Sequence, residues 1–143
     1  MQLHSLALAL RGVYVPRLAI LSLLLCIVGC GDGLPKTYPV KGKVVFKGGK
    51  PMSSGTVMVQ SVANPEVLAS GDLNSDGTFE LYSNMGKSGM VEGEHRVLIE
   101  PPLPEYGEKA AVGKSYQRFE TSGLTIMVKP EDNDVTIEVD PSK

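Results

Sequence analysis

From Tyr38 onward, apolar residues recur at every second position in short runs separated by Gly, Pro, Asn and Asp, and helical spacing is almost absent. Tyr38 to Phe46 places Val40, Val44 and Phe46 on one face and Lys41, Lys43 and Lys47 on the other. Gly42 falls on the apolar face, where a missing side chain lets another backbone approach or permits a bulge. Gly48-Gly49-Lys50-Pro51 predicts a turn. Thr56 to Val62 predicts a second strand with Val57 and Val59 together, and Val67 to Leu73 a third with Val67, Ala69 and Leu73 on one side. Asp76-Gly77 predicts a hairpin turn into Thr78 to Tyr82, with Phe79 and Leu81 inward. Ser83 to Gly93 reads as a glycine-rich loop. Glu94 to Glu100 is apolar on both faces, Val97 and Ile99 against Leu98, as a central strand would be, and Pro101-Pro102 stops it. Leu124 to Lys129 and Val135 to Val139 alternate most cleanly, and Pro130 to Asn133 between them predicts the firmest hairpin of the chain. Seven short strands with turn signals between them predict an all-β fold, a β-sandwich.

Two stretches break the alternation. Leu103 to Ser122 is a connection longer than the roughly 12–15 residues that compact domains ordinarily allow. It carries Tyr106, Tyr116, Arg118 and Phe119, residue types enriched at binding hot spots, and so is a candidate interaction surface. The plainer reading is that its aromatics fill the open end of the sandwich, with Ser115 to Phe119 docking as a single helical turn. The other stretch, Leu18 to Val28, is continuously apolar. Arg11 and Arg17 precede it, and small Gly29 follows it before Cys30, which is the layout of a secretory signal. A transmembrane span would need about 20 apolar residues, and Pro16-Arg17 and Gly31-Asp32-Gly33 cut this run short. Ile27-Val28-Gly29-Cys30 resembles the lipobox of bacterial lipoproteins, with Ile27 where Leu is commonest and Val28 where Ala or Ser is. That resemblance implies cleavage before Cys30 and lipidation of its thiol and new amino group, and more than one acyl chain is what makes an anchor stable. An ordinary cleaved signal with a free Cys30 is the alternative.

The expected organisation is therefore a signal peptide over 1–29, a lipid-anchored tether over 30–37 and one domain over 38–143. Removing 29 of the 143 residues leaves 114, enough for one core without staples. Losing Arg11 and Arg17 takes the formal net charge from −2 to −4, so nothing attracts nucleic acid. Cys26 leaves with the signal, so Cys30 has no intramolecular partner. The expected localisation is extracytoplasmic, attached to a bacterial membrane.

Candidate chemistry is sparse. Asp72-Leu-Asn74-Ser-Asp76-Gly77 matches the first half of a calcium loop, but the twelfth position, which needs a Glu, is Ser83. A polar turn accounts for it better. Gly86-Lys87-Ser88 and Gly113-Lys114-Ser115 echo the end of a P-loop and lack its first glycine, Leu81 and Glu108 standing there instead. His95 is the one histidine beyond the signal, and no nucleophile and carboxylate are assembled with it in sequence. We expect no catalytic residue, no metal and no cofactor.

The segments Val40-x-Gly-x-Val-x-Phe, Gly49-Lys50-Pro51, Gly55-Thr-Val, Asp76-Gly-Thr-Phe-Glu-Leu and Gly93-Glu-His-Arg-Val-Leu-Ile, in that order, resemble the carboxypeptidase regulatory-like domain. The tail from Tyr116 through Asn133-Asp-Val-Thr-Ile-Glu-Val looks like the ending of small lipoproteins abundant in planctomycete bacteria. The resemblance implies a seven-stranded transthyretin-like (prealbumin-like) β-sandwich that is non-catalytic, serving structure or protein contact at the envelope. Its partners would be the membrane, through the anchor, and an envelope protein or glycan. A carbohydrate- or small-ligand-binding module is the alternative. The hydrolase of 5-hydroxyisourate that shares the fold is the third reading, and its histidines and C-terminal Tyr-Arg-Gly-Ser are missing here, the chain ending Asp140-Pro-Ser-Lys143.

Overall fold

The computed structural model describes residues 33–106 and 109–142. The expected signal peptide, Cys30 and the first residues of the expected tether lie outside them. Ten strand segments follow one another: β1 Thr37–Tyr38, β2 Val40–Phe46, β3 Thr56–Ser61, β4 Leu68–Asp72, β5 Thr78–Glu80, β6 Tyr82–Ser83, β7 Met90–Val91, β8 Gly93–Glu100, β9 Leu124–Val128 and β10 Asn133–Val139. The three beyond the expected seven, β1, β6 and β7, are two residues each. The only other regular element among the described residues is a 3-10 turn, Lys114–Gln117.

The strands form a five-stranded sheet ordered β6-β4-β3-β8-β9, a three-stranded sheet ordered β10-β2-β5, and a small β1-β7 ribbon. One core lies between the two larger sheets. Val57, Val59, Val97 and Ile99 of the first and Val40, Val44, Ile137 and Val139 of the second are buried in a single cluster. The inward positions read from the alternation are thus the ones the core uses. At about 25 cal/mol per Å² of apolar surface, this burial is the main term holding a domain without disulfides. β8 sits between β3 and β9, as its two apolar faces require.

Two glycines make room for neighbours, Gly42 for its cross-strand partners within the three-stranded sheet and Gly71 for the other sheet. A Cβ on Gly42 would lie 2.8 Å from Phe79 Cζ and 2.7 Å from Val135 Cγ2, so the Phe79 ring lies over the bare backbone of β2. Gly71 on β4 leaves room for the Glu80 carbonyl, where the chain passes from β5 in one sheet to β6 in the other.

Two expected hairpins are not ladders. The Asp76-Gly77 turn forms, with Asn74 and Thr78 bonded across it, yet β4 pairs with β3 and β6 while β5 pairs with β2. The turn is a corner between sheets. Likewise β9 pairs antiparallel with β8, and β10 crosses over to pair in parallel with β2 along its whole length, Asn133 opposite Val40 and Val139 opposite Phe46. Asn133 enforces the crossing. Its backbone N–H donates to the Pro39 carbonyl at 2.9 Å, its Nδ2 donates to Lys129, Glu131 and Pro39 carbonyls, and its Oδ1 accepts from the Lys129 N–H. Alternation marks which face a strand buries and is silent about its partner.

The expected loop Ser83 to Gly93 is also structured. Met90 is fully buried, β1 and β7 pair, and Gly89 (φ +81°) passes under the Tyr38 carbonyl with no room for a Cβ.

Candidate interaction surface

The long connection does close the sandwich, by a different residue from those expected. Val112 is fully buried and bridges Pro141, while the segment containing the 3-10 turn returns to β9. Tyr116 packs half-buried on the core, its hydroxyl donating to Asp140 Oδ2 at 3.1 Å and accepting from the Asp140 N–H at 3.2 Å. Lys47 holds the same carboxylate at 2.8 Å, which raises the Lys47 pKa through hydrogen bonding and charge. Phe119 is half-buried, and Arg118 is exposed. Tyr106 stands 108% exposed, free of every neighbour, so it shares no platform with Tyr116. Of the four residues singled out in the sequence, Tyr116 serves the fold, and Tyr106 and Arg118 are exposed.

The other sequence candidates are structural in their geometry. Asp72 accepts from the Thr56 hydroxyl, and Asp76 accepts from both the N–H and the hydroxyl of Thr78, which lowers the Asp76 pKa. The first is a cross-strand bond between β3 and β4, and the others are turn bonds. Among the described residues no three His, Cys, Asp or Glu side chains converge in a way that would hold a metal, and no helix is long and apolar enough to cross a membrane. His95 is fully buried on the core face of β8, Nε2 2.8 Å from the Val91 carbonyl, and burial lowers its pKa. Nδ1 has no hydrogen-bond partner.

What the sequence did not single out is the outer face of the five-stranded sheet. Cross-strand register places Tyr82, Ser70, Met58 and Leu98 in one row over four strands. The next row holds Leu68, Gln60, Arg96 and Thr125. Beyond it Met127 lies opposite Glu94, and Val62, one residue past β3, bonds to the Glu94 carbonyl. Leu98 is nearly buried, Met58 and Leu68 are half-buried, and Tyr82 and Met127 are 58% and 57% exposed. A depression of about 410 Å³ lies between Tyr82, Met58, Leu68 and Asn84, and one of about 430 Å³ lies on the other side of Tyr82, bounded by Ser70, Asp72 and Asn74. Each of these apolar residues sits out of phase in its own strand. The legible signal is that all of them are out of phase in strands of one sheet.

The outer face of the three-stranded sheet is different. Asp134, Lys41 and Glu80 form one row and Thr136, Lys43 and Thr78 the next. Its Lys41–Glu80 pair, at 4.0 Å and open to water, is a weak, solvated contact.

No protein-family model and no curated protein sequence matches the chain. Among solved structures, a crystal structure of a DUF3823 family protein from Parabacteroides merdae is similar, with 16% identity over 76% of this chain and a TM-score of 0.46. The chain spans 48% of that protein's length.

Proposed function

We propose that this chain is a non-catalytic, lipid-anchored envelope module of the carboxypeptidase regulatory-like, transthyretin-like kind, and that it works by protein contact through the outer face of its five-stranded sheet. One observation carries the contact face: apolar side chains from β3, β4, β6, β8 and β9 gather there, on a sheet whose other face already has its core. An apolar centre, Met58, Leu68 and Leu98, rimmed by Asp72, Glu100, Arg96 and Glu94, has the make-up of an interface. The three-stranded sheet, with its rows of Lys, Thr and carboxylates, has no such centre.

The test is site-specific photo-cross-linking on intact cells, with a photoreactive residue at position 58 or 82 and a control at Lys43. Adducts of defined mass from the first two positions and none from the third support the reading. Cross-linking that is equal at all three, or unchanged by a neighbouring Leu68→Lys substitution, would sink it.

A glycan is the second reading, favoured by Tyr82 standing between Ser70, Asp72 and Asn74 on one side and Asn84 on the other. An exposed ring beside polar acceptors suits a sugar. Titration of the protein with soluble envelope glycan, followed by tyrosine fluorescence (the chain has no Trp), separates the two. Saturable quenching lost in Tyr82→Ala favours the glycan.

A further inference from the structure

We propose that the β1–β7 ribbon is an acid-responsive flap, closed over His95 while the imidazole is neutral and opened when the ring takes up a second proton. Three features of the geometry carry this. His95 is wholly buried, and its one bond runs from Nε2 to the backbone of Val91 in β7. A carbonyl can only accept, so Nε2 carries the hydrogen and Nδ1 is the bare nitrogen. Nδ1 has nothing to bond, so a proton added there creates a buried donor and a buried charge together, with no partner for either.

The elements packed around the ring are apolar there except for one hydroxyl, that of Ser61. Its cross-strand neighbours are Ser61 of β3 and Ile126 of β9. The Ser61 hydroxyl already accepts from the Asn64 N–H. β7 contributes Met90 and Val91, and the three-stranded sheet faces the core with Val40, Val44, Phe79, Ile137 and Val139. Glu94, beside His95 on β8 and directed outward, is the charge whose field favours the imidazolium. The entering segment brings Lys36, a cation held over the Tyr38 ring at 5.0 Å. Burial outweighs the Val91 hydrogen bond and the Glu94 field together, which is why the ring stays neutral in the closed form.

The imidazolium must therefore reach water, and the ribbon is the easiest element to move. β3, β8 and β9 belong to a five-stranded ladder, whereas β1 and β7 pair over two residues each. Local opening follows the weakest set of backbone bonds. The hinge on the β1 side is Pro39, whose carbonyl Asn133 grips twice, so that opening stops before β2. β1 is the first strand of the domain, and the flap thus governs how firmly the chain's entering segment is held.

Hydrogen exchange on the full chain tests this, with rates corrected for the intrinsic effect of pH. Once one proton is coupled to opening, each unit of pH below the titration raises the open population about tenfold. Amides of Thr37, Tyr38, Met90 and Val91 should lose protection as pH falls below the ordinary histidine value of 6.5, by up to about tenfold per unit, while those of Val57, Val59 and Ile99 hold. His95→Gln keeps an N–H for Val91 and cannot titrate, so its ribbon should be insensitive to pH. Ribbon protection that ignores pH in the unaltered chain, or a response that survives in His95→Gln, overturns the proposal. Should that variant fail to fold, two measurements decide without it. Imidazole ¹⁵N spectra of the unaltered chain must show the Nε2–H tautomer for the buried ring. Glu94→Gln removes a charge that favours the buried imidazolium and must therefore increase ribbon opening at the acid limit; reduced or unchanged opening there, or the Nδ1–H tautomer, overturns the proposal equally.

Discussion

Single side chains, and single missing ones, decide much of this fold. Gly42 and Gly71 have ordinary negative φ, so a substitution there acts through space alone. Gly42→Ala must displace the Val135 carbonyl and the Phe79 ring, and Gly71→Ala the Glu80 backbone, and each should cost about 3 kcal/mol in urea unfolding. Gly113→Ala meets only Ser115 Oγ at 3.8 Å and should stay within about 0.5 kcal/mol. The two groups with lowered pKa values give stability two separate acid limits. His95 titrates below its ordinary 6.5 in the folded chain. The unfolded chain then binds more protons, so stability falls as pH drops below about 6.5 and levels off beneath the folded value. Asp76, stabilised as a carboxylate by Thr78, contributes above its ordinary 3.8 and loses that contribution as pH falls through its folded value. Urea midpoints measured against pH should show the upper step disappear in His95→Gln while the lower step remains. Gly42 was legible in the sequence as a glycine on an apolar face. Gly71 was not, because nothing local says that β5 crosses there.

At the scale of elements, the strands and their buried faces could be read from alternation, and their partners could not. The segment Leu124 to Val139 shows why. Four residues between two alternating runs suit a hairpin, and the same four residues suit a crossing between sheets. Asn133 makes the choice through bonds to Pro39, about ninety residues upstream, and no local pattern contains that partner. Asn133→Ala removes several of these bonds at once and should cost about 2 kcal/mol, with exchange of β10 amides rising before that of β9. The long connection was legible as something that must pack. The sequence pointed to its aromatics, and the fully buried plug is Val112, whose neighbours Ala111 and Gly113 give it no periodic context. Val112→Ala should lower stability by about 2 kcal/mol, while Tyr106→Ala should leave it unchanged.

For the molecule as a whole, the asymmetry between its two large sheets is the telling feature. One carries a charged, solvated outer face and the other an apolar one, and only the pairing of strands collects Met58, Leu68, Tyr82, Leu98 and Met127 onto a single surface. That is why the candidate surface was invisible in the sequence, where each residue is one exception in one strand. Met58→Lys should leave the urea midpoint nearly unchanged, since the position is half-exposed, while abolishing partner adducts at position 82. The anchor half of the proposal has its own measurement: the Cys30→Ser protein should move from the membrane fraction to the soluble one, and unchanged fractionation would exclude lipidation as the tether.

The parallel pairing of β10 with β2 also sets an order of events as the chain is made. β2 is the central strand of its sheet, and one neighbour, β10, is made about ninety residues after it. Until Asn133–Val139 arrives, β2 presents seven residues of unpaired backbone along one edge, with Val44 and Phe46 lacking Ile137 and Val139 opposite them. Closing so long a loop is slow, and an open edge of that length recruits other chains. A chain stopped short of Val135 is therefore not a slightly smaller domain but an aggregation seed, because β10 is what covers that edge of β2.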